Sequence, residues 1–152
     1  MPSATVHEES LTALRLLEIL TQEQQLLLAA DVDGLRTLTA EKSTLLARMA
    51  ELANQRHAAL AAGGFAASET GMQQWLQEAP APAELQQTWR TTLSGCESAR
   101  ALNRSNGVLI NKHMAQIQQA LTILQGGAQA NNFYGPTGQA TSTSIARRVT
   151  AA

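Results

Sequence analysis

The residues able to do chemistry are few and poorly spaced for it. Histidine occurs as His7, His57 and His113. None follows a glutamate at three positions' distance, so the inward Glu-x-x-His pairs that hold two metal ions in helical bundles are missing. No His-Glu-x-x-His run occurs. The lone Cys96 can supply neither a thiolate zinc site nor an internal disulfide framework. It falls on an apolar stripe, where a buried, inert thiol is expected. Gly135-Pro136-Thr137-Gly138-Gln139 lacks the Gly-Lys-Ser/Thr ending of a phosphate loop, and no strand precedes it. Asn103-Arg104-Ser105 spells a glycosylation sequon, read as a chance match inside a helix. These residues predict no catalysis, no bound metal and no cofactor. What is left is recognition by shape and apolar surface, and that depends on the elements that present it.

Composition defines those elements. The chain has 152 residues, enough for one domain, and its hydrophobic share of 44% can build a core. Aromatics are only 3%, so the apolar content is mostly Leu and Ala, which favours helix-on-helix packing over a β-sandwich. A net charge of -1 gives no global attraction to nucleic acid or anionic membrane. With no disulfide framework and no apolar leader in Met1–Ser10, the expected location is the cytoplasm. No apolar run is long enough for stable membrane insertion.

Periodicity predicts an all-α fold: an elongated antiparallel bundle, or coiled-coil-like hairpin of long helices, with a short extra helix and a flexible C-terminal tail. A first helix is expected from about Thr5 to Ala30, with leucines over a wide face. Asp31-Val32-Asp33-Gly34 offers an N-cap, as a turn or as a weak point in a longer helix. A second helix runs from about Leu35 to Ala62. Its Leu35, Leu38, Leu45, Met49, Leu52 and Ala59 mark a 3.5-residue seam, with Lys42 and Arg56 filling the gaps. Gly63-Gly64 ends it. Ser68-Glu69 caps a short helix carrying Met72, Trp75 and Leu76, and Ala79–Ala83 is a stiff linker. Trp89 reads as core; Trp75 either covers the end of the bundle or anchors a partner. The longest helix is expected from about Pro82 to Leu124, ended by Gly126-Gly127. The domain division is therefore a helical body over 1–125 and a polar tail over 126–152. The tail cannot bury enough surface to offset its ordering entropy.

Some polar residues fall where a core is expected. Lys42 interrupts the second helix's stripe, and Asn103 and Asn106 occupy core positions of a strict seam through Ala99, Ile110 and Ile117. Such residues either fix one helix register at a cost in stability or form a polar patch in a binding groove. Gly107 lies inside the long helix, where glycine costs roughly 1 kcal/mol relative to alanine. A closely approaching neighbour helix or a local kink would account for it.

Here the residues become familiar. Asn103-Arg104-Ser105-Asn106-Gly107-Val108-Leu109-Ile110 resembles the Asn-x-x-Asn-Gly-x-Leu-Ile signature of the FlgN family of flagellar type III export chaperones. Tyr134-Gly135-Pro136-Thr137-Gly138 is similar to that family's Tyr-Gly-x-x-Gly tail, and Lys42-Ser43-Thr44-Leu45-Leu46 to its Lys-x-x-Leu-Leu pattern. The resemblance covers nearly the whole chain. Asn103, Asn106 and Gly107 are then family-motif positions. The resemblance implies a cytoplasmic chaperone that binds the C-terminal helices of hook–filament junction proteins, keeps them unassembled and delivers them to the export gate. It implies no cofactor. Recognition would be helix-in-groove, with Ile110, Met114, Ile117, Leu121 and Leu124 as the client-binding surface, although the same stripe fits ordinary bundle core. The resemblance implies that the family's gate-docking tyrosine carries over to Tyr134, with the cytoplasmic domain of the export gate as its partner; read without the resemblance, Tyr134 is a stray aromatic in a flexible tail. A self-associating coiled-coil adaptor without a client is the competing class, since bare apolar stripes also favour homo-oligomers.

Overall fold

The computed structural model describes residues 1–79 and 81–132, with residues 128–132 described by backbone alone. All regular structure among these residues is helical: a short 3₁₀ turn at Pro2–Ala4, then α1 (Val6–Ala29), α2 (Val32–Ala62), α3 (Glu69–Glu78) and α4 (Ala83–Asn132). The chain divides into two compact units, Met1–Ile110 and Asn111–Ala152. Of the expected tail, residues 133–152 lie outside the described residues.

The break between α1 and α2 is a true turn. Ala30 adopts a left-handed conformation (φ 54°) that ends α1. Asp31 then caps α2, its Oδ1 accepting from the Gly34 N–H at 3.0 Å. Ser68 caps α3 in the same way through the Gly71 N–H, at 3.1 Å. Gly71 is required there, because a Cβ would overlap the Ala66 carbonyl. At the start of α4 the Pro82 carbonyl accepts from the Leu85 and Gln86 N–H groups, so the linker proline lies just outside the helix.

Within the first unit, α1 and α2 are antiparallel: Glu9 meets Arg56 near one end and Glu23 meets Lys42 near the other. α4 runs parallel to α1, with Gly95 against Ala13 and Asn106 against Leu20. One core cluster gathers Val6, Leu60, Met72, Leu76 and Trp89, so α3 closes the end where α1 starts and α2 stops. Trp75 packs on this cluster and covers the bundle end. A second cluster joins Leu16 and Leu20 to Ala99, flanked by Leu17, Leu45 and Leu102.

The longest helix departs from expectation at its end. α4 continues through Gly126-Gly127 to Asn132. Helix-forming Gln125, Ala128, Gln129 and Ala130 flank the pair, and no proline follows closely, so two glycine costs do not end the helix.

Gly107 also departs from expectation. A Cβ built there meets nothing within 4 Å, so no neighbouring helix demands a glycine. Gly107→Ala is therefore expected to raise unfolding free energy by about 0.5–1 kcal/mol, the propensity gain of an unobstructed helical site. Urea denaturation checks this; a loss of stability would mean that the backbone at this point needs glycine.

Candidate functional site

Two buried polar clasps set the helix register. In the first, the Glu9 carboxylate accepts from Arg56 Nε at 3.0 and 3.1 Å and from Thr5 Oγ1 at 2.8 Å. Glu9 is 2% exposed and Arg56 5%, so the pair is essentially dry. The Arg56 guanidinium also lies over the Trp89 ring, 4.6 Å from its centre, tying α4 to the same point. In the second clasp, Glu23 accepts from Lys42 Nζ at 3.0 and 3.1 Å and from Asn106 Nδ2 at 2.8 Å. Asn106 Nδ2 also donates to the Leu20 carbonyl at 2.8 Å. Asn106 is fully buried, while its Oδ1 finds no protein donor.

Lys42, Arg56 and Asn106 thus hold α1, α2 and α4 in one alignment. A slip by one turn would strand a buried charge, at a cost of several kcal/mol. Exposed pairs, Arg15 with Glu41 and Arg48 with Glu8, follow the same antiparallel register but add little in water.

Asn103 does not join this network and is exposed. The buried line of α4 runs through Trp89, Thr92, Gly95, Ala99 and Asn106, with half-buried Leu102 between the last two, which puts Asn103 at its edge. Cys96 is half-buried, and burial pushes its thiol above the ordinary range. Among the described residues, no group of three or more His, Cys, Asp or Glu side chains converges as metal ligands would.

Past the Asn106 clasp the character of α4 changes. Ile110, the last residue of the first unit, is 41% exposed, and Met114, Ile117, Leu121 and Leu124 of the second unit lie between 46% and 69% exposed. Their spacing of four, three, four and three places them on one helical face. Ordinary bundle core would bury them; in this chain they are bare. Ile123, 68% exposed, lies on the opposite face. Residues 111–127 contain one formal charge, Lys112, so this segment is a nearly neutral amphipathic helix flanked by Asn and Gln. An exposed apolar face of this length is a candidate protein-binding surface. Tyr134 lies outside the described residues.

Helical periodicity alone does not single out the clasp glutamates, but their spacing carries a signal. Glu9 and Glu23 are fourteen residues apart, as are Lys42 and Arg56, the spacing needed to pair twice across an antiparallel hairpin.

These features define an all-helical module with a register-locked body and an exposed apolar helix face. The FlgN protein family model matches residues 2–142. The flagella synthesis protein FlgN of Yersinia enterocolitica is 32% identical over 132 residues, spanning 86% of this chain and 82% of that protein. The Salmonella typhimurium protein of the same name is 30% identical over 86% of this chain and 81% of its own length. That of Proteus mirabilis is 28% identical over 86% and 83%. The chain belongs to the FlgN family. No solved structure matches it. Among the described residues, no helix is long and apolar enough to cross a membrane.

Proposed function

We propose that this chain is a cytoplasmic export chaperone of flagellum assembly. It binds the helical C-terminal segments of hook–filament junction proteins, keeps them unassembled, and delivers them to the type III export gate. The observation that carries the reading is the bare stripe Ile110, Met114, Ile117, Leu121 and Leu124 on α4. The relatives' shared name, flagella synthesis protein, supports the flagellar setting.

The mechanism is burial. An amphipathic client helix lays its apolar face along the stripe and loses the surface with which it would otherwise self-assemble. Met114 adapts its shape to more than one client, because an unbranched thioether fits irregular contacts at low cost. Residues after Asn132, poor in large apolar side chains, fold on the client, and the entropy lost keeps affinity modest and release at the gate feasible. Tyr134 supplies the contact with the cytoplasmic domain of the gate.

Cells lacking this chain are expected to accumulate junction proteins as aggregates or degradation products and to export little of them. Unchanged export would overturn the reading. Tyr134→Ala should separate the two steps: binding to the isolated gate domain falls at least tenfold while client binding holds. Equal loss of both would indicate misfolding instead, and no loss of gate binding removes Tyr134 from the docking role.

A further inference from the structure

The first unit has an opening of its own, apart from the α4 stripe. Midway along it, α2 and α4 stand apart over α1 and leave a cavity of about 240 Å³. Leu16 and Leu20 of α1 form its floor, Leu46 and Met49 line the α2 side, and Cys96 and Arg100 line the α4 side. Along α1 the floor lies between the clasp at Glu9 and the clasp at Glu23, so the walls are held apart by buried polar contacts at both ends. An apolar cavity of roughly 150 Å³ is enough to admit benzene. This one accommodates a large apolar side chain without rearrangement.

Charge indicates the kind of chain that brings that side chain. Every ion pair among the described residues joins groups of α1 and α2. Arg100 and Arg104, one turn apart on α4, are exposed and pair with no carboxylate there. Residues 133–152 contain no Asp or Glu that could reach back to them. On its α4 side the cavity is thus lined by Arg100, with Arg104 one turn beyond it, both without an ion-pair partner among the described residues, which favours a negatively charged visitor.

We propose that this cavity is a docking site for an acidic amphipathic helix of a partner protein, which seats a large apolar side chain over Leu16 and Leu20 and sets carboxylates against Arg100 and Arg104. The site belongs to the first unit alone and does not depend on the α4 stripe being the client surface.

Cys96 is the chain's single cysteine and lines the cavity, so its alkylation reports occupancy directly. Because burial raises the thiol, the reaction is run at alkaline pH, about 9, so that a fraction of Cys96 is thiolate. Two synthetic helical peptides share one Leu/Phe face and carry either Glu or Lys elsewhere. Each is added to the full chain while iodoacetamide labelling is followed and binding is measured by calorimetry. The Glu peptide is expected to slow labelling at least tenfold and the Lys peptide less than twofold. Arg100→Glu should remove the Glu peptide's protection, read as the ratio of labelling rates without and with peptide, and leave the circular dichroism unchanged; the peptide-free rate itself falls, because the Arg100 charge favours the thiolate. Equal protection by both peptides, binding without protection, or no binding overturns the proposal. If Arg100→Glu alters the fold, Arg104→Glu, further from the cavity, supplies the same comparison, and full protection in that variant counts against the charge pairing.

Discussion

Arg56→Ala is expected to lower the unfolding free energy by about 3–5 kcal/mol, the cost of leaving a buried carboxylate without its partner. Glu9 cannot turn to solvent in this variant, because it is 2% exposed and enclosed by α1, α2 and the Trp89 side of α4. The Thr5 hydroxyl alone cannot compensate its charge. The guanidinium's stacking on Trp89 is lost as well. A domain of this size has roughly 5–15 kcal/mol in total, so the variant would be marginal at growth temperature. Replacing both partners, Glu9→Leu with Arg56→Leu, should recover most of the loss, since a buried ion pair exchanged for apolar side chains is often neutral. Urea unfolding of the two variants decides the matter. A single variant less than 1 kcal/mol weaker than wild type would show that the pair does not hold the helices together.

The second large effect concerns binding. Ile117→Asp combined with Leu121→Asp should weaken client-helix binding at least 100-fold with no change in melting temperature. Each fully buried large aliphatic side chain contributes about 1.5–3 kcal/mol, so losing two from the contact removes at least two decades of affinity. The fold does not need them, because Ile117 is 56% and Leu121 46% exposed. Ile123→Asp is the control, adding the same charge to the opposite face of the same helix. Fluorescence anisotropy of a labelled client helix provides the comparison. If Ile123→Asp weakens binding as much as the double variant does, the stripe is not the surface that clients touch.

Much of the body could be read from the sequence because its signals are local. Period and breakers placed the helices, Asp31 and Ser68 marked two starts, and the gap-filling Lys42 and Arg56 on an otherwise apolar seam indicated buried charge. Their partners were harder to see, because Glu9 and Glu23 look like ordinary surface glutamates until the hairpin register is known. Asn103 and Asn106 share one motif yet differ in burial, one at the edge and one fully buried, since a seam through Ala99 and Asn106 can take either residue 102 or residue 103 between them, and the fold takes the apolar Leu102. Gly107 and Gly126-Gly127 misled in the same direction. A glycine in a helix records only that alanine was not used there, and neither a close neighbour nor a helix end is needed to accommodate it. The cavity over Leu16 and Leu20 had no local signal at all, because it arises from the separation of two helices far apart in sequence.

The central claim is that the bare α4 stripe buries the apolar face of a hook–filament junction protein's C-terminal helix. Isothermal titration calorimetry of the full chain against those helices, repeated across temperature, tests it most directly. Saturable binding with a clearly negative heat-capacity change, the mark of apolar surface leaving water, is the expected result. No binding by the folded protein, together with concentration-dependent self-association through the same stripe, would contradict the account and favour an adaptor that pairs with its own copies.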